Sequence, residues 1–210
     1  VRPYSLVFDP IGIYYDATCT SKLELILNQI QLTADQKKRV SALKDALIQL
    51  NITKYNIGVE QKLYAPQTNR KVILVTGQVE DDLSIQLGGV GIKTNLDLLK
   101  TVREQNLESY IIYKPHPDVQ AGLRVGHIPT EIVLTYADSI ETKASILECF
   151  DICDELHTIS SLSGFEALLR GLPVYCYGMP FYAGWGLTKD YVANARRVRQ
   201  LELDELIYGV

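Results

Sequence analysis

From residue 71 onward, short apolar runs alternate with segments of helical periodicity. KVILVTG (71–77), SYIIYK (109–114), EIVLTY (131–136), DELHTI (154–159) and PVYCYG (173–178) are the runs. A strand that is apolar along its whole length must be covered on both faces, and the helices between runs supply the cover. This alternation predicts a Rossmann-like, doubly wound parallel α/β sheet over 71–210, with helices near 94–105, 142–150, 163–171 and 203–208. Upstream, SKLE (21–24) and TADQ (33–36) fit the capping-box pattern and predict helices over 22–29 and 34–50. SLVFD (5–9) reads as a strand, and GIYYDAT (12–18) as a second strand or an extended loop. The polar stretch around APQTNRK (65–71) reads as a linker, so residues 1–60 and 61–210 are taken as separate units.

Composition narrows the function. The 210 residues suffice for one large domain, and 47% hydrophobic content is ordinary for a globular protein. A net charge of -4 lacks the basic footprint that nucleic acid requires, so no nucleic-acid partner is expected. No apolar run reaches the roughly eighteen residues of a membrane span, and VRPYSLVFDP lacks the layout of a signal peptide. The opening residues read as mid-strand, as in a piece of a longer protein. The cysteines at 19, 149, 153 and 176 have no zinc-like partner spacing. They are expected as reduced thiols in a cytoplasmic protein, with no metal and no cofactor.

In such a sheet, ligands bind outside the carboxyl ends of the strands. Each unusual polar motif follows a strand directly: TGQVEDD, KPHPD, TISSLSG and GMPFYAGWG. Gln78, Glu80, Asp81 and Asp82 fit either a carboxylate set near a sugar's anomeric carbon or a solvated acidic turn. His116, between two prolines that fix φ and remove donors, is held stiffly at a strand end. It fits a phosphate partner or a structural turn equally, and Lys114 fits a phosphate partner or a snorkelling surface residue. Ser160, Ser161 and Ser163 precede a helix whose free amides form an anion site, and one of them is its N-cap. Glu166, in that first turn, fits a ribose ligand or a favourable dipole contact. His157 reads as a satisfied core histidine, and His127 carries no assignment. Phe181, Tyr182 and Trp185 either shape a pocket or pack their loop onto the sheet. Neither a G-x-G-x-x-G turn nor a Walker loop follows a strand.

SLVFDPIGIYYDAT, KVILVTGQVEDDLSIQ, YIIYKPHPDV, HTISSLSGFEALLRG and YGMPFYAGWGLT together resemble bacterial capsule polysaccharide biosynthesis proteins of the KpsC/LipB type. Those are retaining β-Kdo glycosyltransferases, and the likeness runs nearly end to end, closest to their carboxy-terminal module. The resemblance implies a GT-B architecture of two Rossmann-like halves. Residues 61–210 would be the donor half, and residues 1–60 the closing segment of an acceptor-side half belonging to the same protein. It implies CMP-β-Kdo as donor and a Kdo-primed, phosphatidylglycerol-type glycolipid as acceptor, with peripheral contact at the cytoplasmic face of the inner membrane. His116-Pro117 and Ser160-Ser161 match the family's CMP-phosphate motifs. Gln78 and Asp82 match its Gln-x-x-x-Asp motif, with Asp82 the carboxylate at the anomeric centre and Glu80 beside it. Lys114, Ser163, Gly164 and Glu166 complete the expected donor contacts. A single phosphate can be held by amides, hydroxyls and a histidine without a metal. Two other readings stay open: a sugar-nucleotide epimerase of similar architecture, and a catalytically incomplete module that serves assembly of the capsule machinery.

Overall fold

The computed structural model describes residues 7–55 and 63–210. Among them, six strands form one sheet: β1 (Val72–Thr76), β2 (Tyr110–Lys114), β3 (Ser139–Ile140), β4 (Glu155–Thr158), β5 (Val174–Cys176) and β6 (Lys189–Asp190). Their order is β3-β2-β1-β4-β5-β6, and every neighbouring pair is parallel. The central strand β1 is buried at every position. Its side chains alternate between the two faces. Val72 and Leu74 join one apolar cluster with Leu156, Ala167, Cys176, Tyr182, Trp185 and Leu206. Ile73 and Val75 join the opposite cluster with Leu98, Leu99, Val102, Ile111 and Val133. The chain is therefore α/β and Rossmann-like, as the alternation of runs predicts.

The helices are α1 (Lys22–Gln29), α2 (Ala34–Gln49), α3 (Leu83–Gly88), α4 (Asn95–Gln105), α5 (Pro117–Gln120), α6 (Thr130–Tyr136), α7 (Ile146–Phe150), α8 (Leu162–Leu169) and α9 (Leu203–Gly209). Thr33 and Gln36 close a full capping box on α2. Ser21 caps α1 by accepting from the Glu24 amide, but the Glu24 carboxylate does not reach back. It turns instead to Arg196 and Arg197, both 3.0 Å away or nearer. That buried cluster ties α1 to the loop after β6. Arg197 also donates to Pro180 O and Ala183 O, and Arg196 to Ala17 O. Leu27 reaches the same apolar cluster as Trp185 and Leu206, while Val40 of α2 packs with Leu169 and Ile207.

Several expectations are corrected. EIVLTY (131–136) is not a strand but most of α6. Val133 is 1% exposed while Ile132 and Leu134 are 39% and 51% exposed, so the run has one buried face with helical spacing. The strand beside β2 is the two-residue β3 that follows. GIYYDAT folds as turns and loop rather than a strand. Of SLVFD, residues 7–9 carry no strand, and the remainder lies outside the described residues. The helix expected over 142–150 forms only at 146–150, where Ser145 and Glu148 make a capping box. No helix among the described residues is long and apolar enough to cross a membrane.

Candidate active site

The strand order reverses direction between β1 and β4, where the chain, having built outward to β3, returns to the other side of β1. A crevice opens at the carboxyl ends of these two strands, the place where this topology binds ligands. Here it is a cavity of about 580 Å³, and all four polar motifs reach it. Gln78 and Asp82 follow β1, Pro115 to Asp118 follow β2, Ser160 to Ser163 follow β4, and Pro180 and Phe181 follow β5.

Gln78 is buried and bonded on several sides. Its Oε1 accepts from Ser160 N (2.9 Å) and Thr158 Oγ1 (3.2 Å), and its Nε2 donates to Ser160 Oγ (3.2 Å). Its backbone exchanges hydrogen bonds with the buried Asn95 side chain at 2.8 Å in both directions. Gln78 thus clasps the end of β1 to the end of β4. Ser160 completes the clasp by donating to Ser84 O (3.1 Å).

Asp82 is the N-cap of α3, and its Oδ1 accepts from Ser84 N at 2.8 Å. Partial burial works against the carboxylate, but the Ser84 amide and hydroxyl, with Lys54 and Arg124 nearby, outweigh it and hold its pKa low. Asp82 is therefore ionised near neutrality, with one oxygen engaged. Glu80 lines no part of the cavity. Its carboxylate accepts from Asn95 N (2.7 Å), at the first turn of α4, so the geometry separates it from Asp82. Asp81 pairs with Arg124 at 3.0 Å on the outside.

His116 caps α5, with Pro117 as the first helical residue. Nδ1 accepts from Asp118 N (3.2 Å), and Nε2 lies 3.0 Å from the Tyr55 hydroxyl. Burial is the main influence on the ring and pushes its pKa below the usual histidine value; the Asp118 and Asp82 carboxylates oppose this in part. Lys114 lines the cavity and donates to Ala144 O (2.6 Å).

Ser161 is the N-cap of α8, accepting from Ser163 N (3.2 Å), and the Ser163 hydroxyl lies 2.8 Å from its own. Glu166 accepts from Lys54 N (2.7 Å); burial raises its pKa, against the lowering effect of that amide and of Arg170. Gly164 does not line the cavity. Its role is close packing, since a Cβ there would fall 2.6 Å from Tyr182 Cζ. Tyr182 in turn donates to Ser161 O. Tyr182 and Trp185 are fully buried, so that loop packs onto the sheet and only Phe181 faces the cavity. His157 is a core residue between Tyr177 and Glu155, at 3.1 and 3.0 Å.

The predicted site misses one whole wall. Tyr14, Tyr15, Thr53, Lys54 and Tyr55 line the cavity from the amino-terminal region, and Arg124, Thr142 and Lys143 from loops after α5 and β3. Tyr14 meets Phe181 edge to face at 5.7 Å. No periodicity marks these residues; Tyr14 and Tyr15 fall within SLVFDPIGIYYDAT, one of the five stretches that carry the resemblance, and a Lys-Tyr step before the linker was the other available signal. With Lys54, Lys114, Arg124 and Lys143 against Asp82, Asp118 and Glu166, the lining holds four cations to three anions. Arg124 is already paired with Asp81, so the lining is close to charge-balanced.

Residues 47–209 match the family model described as capsule polysaccharide biosynthesis protein. The chain belongs to that family. Among curated relatives, the capsule polysaccharide modification protein LipA of Neisseria meningitidis serogroup B is 52% identical over 209 residues, covering 100% of this chain. The lipopolysaccharide-processing protein LpsZ of Rhizobium meliloti is 37% identical over 98% of the chain. The chain spans 30% of LipA and 48% of LpsZ. Two solved structures from Thermosulfurimonas dismutans superpose with a TM-score of 0.82 over 96% of the chain. They are KpsC β-Kdo 2,7 transferase, at 43% identity and 60% of that chain covered, and KpsC β-Kdo 2,4 transferase, at 32% identity and 63% covered. The resemblance read from the five motifs is thereby established, and the neisserial relatives carry the name LipA.

Proposed function

We propose that this chain is the donor-binding part of a retaining β-Kdo glycosyltransferase, transferring Kdo from CMP-β-Kdo to a growing β-Kdo linker on a phosphatidylglycerol-type lipid. The observation that carries this reading is the meeting of Asp82, His116, Ser161 and the start of α8 in one cavity at the topological switch point. The similarity to two Kdo transferases supports it, and the higher identity to the 2,7 transferase favours a β-2,7 linkage.

The phosphate of CMP lies against the α8 start, where Ser161, the helix dipole and the His116 side of the cavity receive its charge. Glu166 engages the ribose. Lys114 and Lys143 suit the carboxylate of the sugar. Retention follows from two inversions at the anomeric carbon. First, the free carboxylate oxygen of Asp82 attacks that carbon while the bond to the phosphate oxygen breaks, its electron pair leaving with CMP. Second, an acceptor hydroxyl attacks the same carbon and expels Asp82, its proton passing to the phosphate oxygen freed in the first step. Gln78 acts by positioning: it locks the strand end that carries Asp82 to the turn that carries Ser161. In the full GT-B enzyme an acceptor-side half supplies the glycolipid site.

Transfer from CMP-Kdo to a Kdo-primed acceptor, measured for full-length protein and its Asp82→Asn variant, tests the reading. Asparagine caps a helix as well as aspartate does, so α3 is kept while the nucleophile is lost. Transfer should fall by at least about a thousandfold with CMP binding intact. Normal transfer by the variant removes Asp82 from the chemistry, and CMP binding without any wild-type transfer would make this an assembly module.

A further inference from the structure

The hydrogen-bond order around His116 assigns a ligand contact to a residue outside every motif. The Asp118 amide can only donate, and at 3.2 Å from Nδ1 it requires a lone pair on that nitrogen. The Asp118 carboxylate, 3.9 Å away, is beyond hydrogen-bonding reach and does not compete. A neutral imidazole then carries its proton on Nε2, and that nitrogen faces the Tyr55 hydroxyl at 3.0 Å. Tyr55 Oη is therefore the acceptor, and its own proton is left over. Among the described residues that hydroxyl has no other hydrogen-bond partner.

The surroundings hold Tyr55 in this role. Its ring meets the imidazole edge to face, with centroids 5.5 Å apart. The preceding residue, Lys54, is pinned by its amide to Glu166, and its ammonium lies 4.8 Å from the centre of the Tyr55 ring. Both residues line the cavity, so a hydroxyl proton and a cation enter it from one short strap. A hydroxyl whose oxygen already accepts a bond is polarised into a stronger donor.

We propose that Tyr55 is the terminal hydrogen-bond donor to the phosphate in this cavity, and that His116 is a positioning residue acting through it. The inference rests on the donor-site reading above and deepens it. The order of bonds is Asp118 amide to His116, His116 to Tyr55, Tyr55 to phosphate.

Calorimetric titration of the full chain with CMP tests this, using wild type, Tyr55→Phe, His116→Asn and the double variant. Tyr55 is 41% exposed and phenylalanine keeps its ring, so the first substitution spares the fold. Asparagine keeps an acceptor for the Asp118 amide. Tyr55→Phe should weaken CMP at least about tenfold, the effect of one hydrogen bond to a charged group. The double variant should lose less than the product of the two single losses, because both act in one chain. Unchanged or tighter CMP binding by Tyr55→Phe overturns the inference while the donor reading stands, since the hydroxyl would then only occupy the ligand's place. Failure of wild type to bind CMP overturns both. Nitrogen-15 spectra of the unliganded protein give an independent readout: the His116 proton belongs on Nε2, and a proton found on Nδ1 breaks the chain at its first link.

Discussion

Gly164 lies in the first turn of α8 with the Tyr182 ring directly beneath it. Tyr182 is fully buried and holds Ser161 O through its hydroxyl, so it cannot step aside for a methyl group. Gly164→Ala should therefore cost about 1–3 kcal/mol of stability. It should also displace the Ser161 turn and, on the proposed function, weaken CMP binding, as read by thermal unfolding and calorimetry. An unshifted melting temperature would show that the ring has room to move. At this scale the sequence was only partly readable. Residue types and strand ends pointed to Asp82, His116 and Ser161 at one edge of the sheet, and all three line the cavity, but they did not show which neighbours the polar atoms already had. Glu80 looks as available as Asp82 in GQVEDD, yet the α4 amide at Asn95 takes its carboxylate. Gly164 looks like a ligand-facing glycine until the contact from Tyr182, distant in sequence, is known.

At the scale of elements, the Glu24 cluster joins α1 to the loop after β6. The side chains of Glu24 and Arg197 are 4% and 2% exposed, and Arg196 supplies a second bond. Removing one partner leaves buried charge uncompensated, a loss of roughly 3–5 kcal/mol. Glu24→Ala should lower the melting temperature and expose the Tyr14–Tyr15 segment to limited proteolysis, since Arg196 also bonds Ala17 O and Cys19 O. Unaltered cleavage would show that this wall is held otherwise. Element boundaries were legible where capping chemistry was read locally, as at Thr33, whereas the capping box at Ser145 went unread and the helix there starts later than expected. The capping signature at Ser21 was half right, because a tertiary ion pair outcompetes the short-range bond back to the cap. The α6 segment misled because a short apolar run has no intrinsic period, and only its position at the sheet's edge leaves one face wet.

For the whole molecule, proton linkage sets the acid limit. His116 and His157 both titrate below the usual histidine value, chiefly because burial disfavours the imidazolium. Their unfolded forms take protons first, so stability is complete above about pH 6.5 and declines as the pH falls through the lowered values. A second decline begins below about pH 4.5, as Glu155, lowered to about 2 against its burial by His157 and Lys71, and also Glu24 and Asp138 lose their ionised forms. Glu166, raised by burial, contributes with the opposite sign. The urea midpoint should be lower at pH 5.5 than at 7.5, each tenfold difference in proton affinity being worth about 1.4 kcal/mol. A midpoint that rises on acidification would mean the imidazoles are charged in the native state.

The sheet and its ligand edge were legible because strand burial and strand ends are written locally. The far wall was not, since Tyr14, Tyr15, Lys54 and Tyr55 reach the cavity only through long-range packing. That wall has a practical consequence for anyone exchanging this part of the chain between relatives. A graft cut at residues 65–71 would carry one side of the cavity and leave behind the wall built by Tyr14, Tyr15, Lys54 and Tyr55. Junctions placed ahead of Tyr14 keep both surfaces from one parent, and with them whatever ligand preference that parent evolved.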